Sequence, residues 1–218
     1  MPNTLFVWDF HGVLEKDNEK AVIDISNRVL AESGFSERFT NEDNDKLYGL
    51  KWYQYFEHLL PNLSKEECLR LQSNCFNLTE KDPTILASHI KPNDHVVEIL
   101  SKIAKSNSQQ IVISNTRQND LFWFLDAISV RDYFDDNNVI GVNAHQTHGS
   151  KIDALKDFLK DKKFEKIVAI GDSEGDLKLG KEVGAITYFY KHPKRNHEET
   201  QNADYIINDL REVLKELQ

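Results

Sequence analysis

Asp9 and His11 stand two residues apart where an apolar run ends, in "TLFVWDFHGVLEK". Two other apolar runs close on residues able to do chemistry. "QQIVISN" ends in Ser114 and Asn115, followed by Thr116, and "KIVAIGD" leads into "GDSEGD" with Asp172 and Asp176. Lys151 opens the helical pattern "SKIDALKDFLK". Carboxylates brought to one point repel one another unless a hard cation joins them, and Mg²⁺ suits oxygen ligands. A hydroxyl, a lysine and a helix N-terminus around the same point make a cradle for a phosphoryl group. A carboxylate free to attack would then be the nucleophile of a covalent phosphotransfer. Each residue also has a plainer reading. Asp9 could form a turn, Ser114 could cap a helix, and Asp176 is favourable in any first helical turn. Lys151 could be an ordinary solvated lysine, but at a helix start it gains nothing from the dipole, which favours function.

These residues need elements to bring them together. Four apolar runs read as strands: "TLFVWDF", "QQIVISN", "KIVAIGD" and "AITYFY", with a weaker fifth in "NVIGV". Continuous runs, rather than alternation, predict parallel strands covered on both faces. Helical patterns lie between them, over 92–105, 120–128, 150–159, 176–183 and 208–217. This alternation predicts an α/β fold with a doubly wound parallel sheet, whose ligands bind outside the carboxyl ends of the strands. From residue 16 to 89 the text reads as helix throughout, with a capping box "SKEE" at Ser64. That is too long for one crossover helix. The expected domains are therefore a core of 1–15 and 90–218 and an inserted helical lid of 16–89.

Of the 218 residues 39 % are hydrophobic, enough for a sizeable core, and the net charge of −9 argues against nucleic acid or an anionic membrane as partner. The sequence contains no apolar stretch of membrane-spanning length and no leader pattern, and it reads as cytoplasmic. Cys68 and Cys75, seven apart on one helix face, predict buried thiols rather than a disulfide framework. His145, His148, His192 and His197 match no zinc-ligand spacing.

Four segments, in order, resemble the four motifs of the haloacid dehalogenase superfamily. "DFHGVL" is similar to Asp-x-Asp-Gly-Thr/Val-Leu except at His11; "IVISN" supplies Ser114; "HGSKIDAL" supplies Lys151; and "GDSEGD" matches Gly-Asp-x-x-x-Asp. The helical insert resembles the type-1 cap of the phosphoglycolate phosphatase-like branch. The resemblance implies a Rossmann-like core with a cap, and a Mg²⁺-dependent phosphatase acting on a small phosphorylated metabolite. Asp9 would attack phosphorus. The Asp9 carboxylate, the His11 carbonyl and Asp172 would hold Mg²⁺, with Asp176 beside them. Ser114, Lys151 and the N–H groups of Phe10 and Asn115 would bind the transferring oxygens. Arg117 is a candidate substrate contact. So are Lys51, Trp52 and Tyr53, after Gly49, where related caps carry specificity residues; the plainer reading of Trp52 and Tyr53, and the favoured one, is packing between cap helices. The family's phosphatases normally carry aspartate where this chain has His11, as the acid and base of the reaction. The departure leaves two alternatives open: a carbon–phosphorus hydrolase using Lys51, or a catalytically weakened phosphate-binding regulator.

Overall fold

The structure, a computed structural model, describes residues 4–47, 50–82, 84–142, 150–191 and 203–217. Strand β1 (Thr4–Trp8) is buried at all five positions, which is why its sequence is apolar on both faces. A turn follows, then the two-residue strand β2 (Glu15–Lys16). Five helices come next: α1 (Asn18–Glu32), α2 (Asn41–Leu47), α3 (Trp52–Leu59), α4 (Lys65–Lys81) and α5 (Thr84–Ala87). The chain returns through β3 (Lys91–Pro92), which pairs antiparallel with β2. It then alternates: α6 (Val96–Ala104), β4 (Ser108–Ser114), α7 (Gln118–Ala127), β5 (Val139–Gly141), α8 (Lys151–Leu159), β6 (Lys166–Gly171), α9 (Glu174–Glu182), β7 (Ile186–Tyr190) and β8 (Tyr205–Ile207).

Six strands form one sheet in the order β5-β4-β1-β6-β7-β8, and every neighbouring pair is parallel. This is the Rossmann-like doubly wound sheet. Leu5, Val7, Ile111, Ile113 and Ala169 pack one of its faces against Leu155 and Leu179 of the flanking helices. Three features depart from the sequence reading. A sixth strand, β8, lies at the sheet edge. The short β2–β3 pair joins two segments that look like loop text. The C-terminal element, Leu210–Leu217, is a 3₁₀ helix. Its buried residues, Leu210, Val213 and Glu216, recur every third position, the repeat of a 3₁₀ turn. Glu216 is tolerated inside because it accepts a hydrogen bond from the Tyr188 hydroxyl (2.6 Å) and another from Lys166 Nζ (3.0 Å).

The chain divides into two compact units, 1–16 with 91–218, and 17–90. The second has its own core, in which Ile25, Val29, Leu30, Phe56, Cys68, Leu71 and Cys75 are buried. At its longest helix Ser64 Oγ accepts from the Glu67 N–H (3.3 Å) while Glu67 Oε2 accepts from the Ser64 N–H (2.8 Å), a reciprocal cap on α4. Both cysteines are free and buried, and burial pushes the Cys75 thiol well above its ordinary value. Phe56 is fully buried, edge-on to Phe39 at 5.8 Å. Phe56→Ala is expected to destabilise this unit by about 3–5 kcal/mol, read as a lower urea midpoint in the intact chain. No helix among the described residues is long and apolar enough to cross a membrane.

Candidate active site

Strand register decides what meets at the sheet's carboxyl edge. Trp8 pairs with Val112 on one side and with Ile170 on the other. Asp9 therefore leaves β1 level with the ends of both neighbours, and its N–H donates to the Ile170 carbonyl (2.9 Å). Ser114 ends β4, and Asp172 immediately follows β6. Next, Ser173 caps α9: its Oγ accepts from the Asp176 N–H (3.3 Å) and donates to Asp176 Oδ2 (2.5 Å). Asp176 is thereby folded back over Gly171. A Cβ on Gly171 would lie 2.1 Å from the Asp176 Cβ, so only glycine permits this approach.

Carboxylate oxygens of Asp9, Asp172 and Asp176 lie within 4.8 Å of one another. Lys151 enters from the first position of α8, held there by the Ser150 side chain, which accepts from the Asp153 N–H (3.1 Å). Its Nζ donates to Asp9 Oδ1 (2.6 Å) and Asp176 Oδ1 (2.9 Å). Burial and the Asp176 carboxylate push the Asp9 pKa up, while Lys151 and, more weakly, His11 pull it down; the net direction is upward. For Lys151 burial acts downward, but Asp9 and Asp176 outweigh it, and the net shift is upward. The lysine stays an ammonium between two carboxylates.

A second network begins at His11. Its Nδ1 lies 2.9 Å from Glu15 Oε1 and its Nε2 3.1 Å from Thr116 Oγ1. Thr116 Oγ1 is in turn 2.9 Å from Ser114 Oγ. The ring sits edge-on to Phe10 (5.0 Å) and to Phe124 (5.8 Å). The sequence places Thr116 at this strand end without giving it a role, and Glu15 escapes a reading of the sequence. Thr116 stands two places past Ser114 and is visible only as a neighbour of a motif. Glu15 leaves a fainter signal, an acid directly after the apolar "GVL" and before Lys16.

The remaining candidates are placed as follows. Phe10 is buried, its ring stacked on Phe124 at 6.0 Å. Asn115 is exposed just past β4. Arg117 precedes α7 and its Nε donates to Asp120 Oδ2 (2.6 Å). Lys51 and Trp52 belong to the helical unit, where Lys51 is exposed and the Trp52 indole N–H donates to Ser26 Oγ (2.7 Å). Trp52 also meets Phe76 edge-on at 5.3 Å. Tyr53 donates its backbone N–H to Gln72 Oε1 (3.1 Å). Gly49, His145, His148, His192 and His197 lie outside the described residues.

The acidic cluster and the lysine stand at the carboxyl edge of a doubly wound sheet, where α/β folds bind their ligands. The sequence matches the family model of the haloacid dehalogenase-like hydrolases over residues 6–190, and the chain belongs to that family. No curated protein matches it. Among solved structures it is similar to a candidate phosphatase from Clostridium difficile, at a TM-score of 0.82 and 14 % identity, covering 100 % of both chains. It is similar to a haloacid dehalogenase-like hydrolase from Streptococcus pneumoniae, at 0.75 and 16 %, covering 99 % of this chain and 98 % of that one. A third is CbbY from Rhodobacter sphaeroides, in complex with phosphate, at 0.65 and 18 %, covering 98 % and 96 %. At these identities the likeness is one of fold.

Proposed function

We propose that the protein is a Mg²⁺-dependent phosphatase that hydrolyses a small phosphorylated metabolite through an aspartyl phosphate on Asp9. The observation that carries this reading is Asp9 held by Lys151 within a cluster of three carboxylates. The donor set fits Mg²⁺: it is all oxygen, and three carboxylates with one ammonium leave a net negative site that an anionic ester would not enter unaided. Asp9, Asp172 and Asp176, with the His11 carbonyl, would hold the ion. Bound there, it would supply charge neutralisation for the phosphoryl oxygens. The phosphate complex of the Rhodobacter sphaeroides protein, which shares the fold, supports the same substrate class.

In this reading the Asp9 carboxylate attacks phosphorus, the bond to the leaving oxygen breaks, and His11 gives that oxygen its proton. Water then attacks the aspartyl phosphate and loses a proton to His11, which releases phosphate and restores Asp9. Ser114, Lys151 and the N–H groups of Phe10 and Asn115 hold the transferring oxygens throughout. Positioning of this kind is the main content of phosphoryl-transfer catalysis. The helical unit 17–90 acts as the cap, with Lys51 and Trp52 the candidates for selectivity and Arg117 a further substrate contact from the core.

Phosphate release across a panel of phosphorylated metabolites tests the reading, run with Mg²⁺ and with excess chelator. Activity is expected to vanish in chelator and to return with Mg²⁺. Calorimetric titration of the ion should show weaker binding in Asp172→Ala than in the wild type. Full turnover in chelator would remove the metal from the mechanism, and a panel without any hydrolysed ester would remove the phosphatase.

A further inference from the structure

Glu15 is out of place by ordinary rules. It is fully buried; its Oε1 takes the contact from His11 Nδ1 and the Gly12 N–H (3.3 Å); and among the described residues its Oε2 has no hydrogen-bond partner. A half-satisfied carboxylate in the interior is destabilising, and an apolar side chain of similar size would be cheaper. Sites where a sequence breaks such a rule tend to be functional ones.

The backbone around Glu15 is built to keep it there. Gly12 adopts φ 81°, a left-handed conformation that turns the chain back on itself. The N–H groups of Val13, Leu14 and Glu15 all point at the Phe10 carbonyl (3.3, 3.0 and 3.2 Å). From the other side Asn93 ties the turn down: its Nδ2 donates to the Val13 carbonyl (3.1 Å) and its N–H to the Leu14 carbonyl (2.9 Å). Glu15 itself pairs with Pro92 across the β2–β3 ladder. A carboxylate fixed in this way beside an imidazole can hold the ring at one angle and in one tautomer.

We propose that Glu15 is the positioning residue of His11, holding its imidazole as the Nδ1–H tautomer so that Nε2 is the nitrogen presented to Thr116 and Ser114. The proposal rests on the phosphatase reading for its consequence in turnover, but not for the tautomer itself. A carboxylate has no proton to give, so Nδ1 must donate to it. Nε2 of the neutral ring then accepts from the Thr116 hydroxyl, whose oxygen faces Ser114 Oγ. The exchanging nitrogen is thus turned toward the hydroxyl assigned to the phosphoryl group. Contacts that orient a metal-ligating histidine from behind are worth about 10- to 100-fold, and the same scale is expected for this ring.

Two measurements test this. The first is nitrogen NMR of the histidine-labelled wild-type protein, with the His11 signals assigned by loss in His11→Ala. A proton on Nδ1 and none on Nε2 is expected in the neutral ring; a neutral ring protonated on Nε2 overturns the proposal, whatever the protein hydrolyses. The second is a double-mutant cycle of Glu15→Gln with His11→Ala on alkyl and nitrophenyl phosphates. Glu15→Gln should lower the ratio of alkyl to nitrophenyl turnover about 10- to 100-fold through kcat rather than KM. It should lower it no further once His11 is alanine. Equal loss on both esters, or full additivity with His11→Ala, means a structural role and overturns it. If the wild type hydrolyses no ester, the phosphatase reading fails alone, and the tautomer still decides on Glu15.

Discussion

Asp9→Asn is expected to abolish phosphate release, with a loss of about 10⁴- to 10⁶-fold, the scale seen when a covalent nucleophile is removed. The amide is nearly isosteric, so the turn after β1 and the Asp9 N–H bond to Ile170 should persist. What disappears is the oxygen nucleophile and one of the two carboxylates on Lys151. Acid-quenched wild-type protein given labelled substrate should carry label on Asp9, and the variant none. Wild-type turnover in Asp9→Asn would end the covalent mechanism. The substitution also has a signature in the metal-free fold. The pKa of Asp9 is raised above its ordinary 3.8 by burial and by Asp176, so the folded state binds the proton more tightly than the unfolded one. Its contribution to stability therefore declines as pH rises from about 3.8 through the raised value. Denaturation in chelator at pH 4 and pH 7 should show a smaller decline in Asp9→Asn than in the wild type.

His11→Ala should lower turnover of alkyl and sugar phosphates by about 10² to 10⁴, the usual contribution of a general acid and base. Nitrophenyl phosphate should suffer far less, because its leaving group departs without a proton. Water attack on the aspartyl phosphate would also slow, and the labelled phosphoenzyme should accumulate. The network around the ring sharpens the expectation. His11 is held on both nitrogens, by Glu15 and Thr116, and along its edges by Phe10 and Phe124. That clamp suits a group which must be aimed, and alanine leaves nothing to aim. Alkyl phosphate hydrolysis at the wild-type rate in His11→Ala would overturn the assignment.

Much of the core is legible in the residues. Continuous apolar runs such as "TLFVW" and "KIVAIG" mark parallel strands buried on both faces, and the polar residue ending each run marks the sheet edge where Asp9, Ser114 and Asp172 come to stand. The Ser64 capping box likewise marks the start of α4. Other parts leave no such trace. β8 is three residues long with two exposed, too short for any periodicity to emerge. β2 and β3 are two residues each and exist through each other, so neither is readable alone. Thr116 and Glu15 enter the site only through the His11 ring that both of them touch. A hydrogen-bond network that closes in space between residues 15 and 116 has no counterpart in local spacing.

The strand order has a consequence for how the protein is made. Among the strands of this sheet β1 comes first in the chain, and it lies in the middle, between β4 and β6. Its partners are roughly 100 and 160 residues further along, and such distant pairings are slow to form. At ordinary rates of translation the nascent β1, apolar on both faces, waits on the order of ten seconds or more for β6. The helices of 17–90, which have their own core, emerge during that interval and need no distant partner. Asp9, at the end of β1, thus leaves the ribosome well before the strands that fix its place.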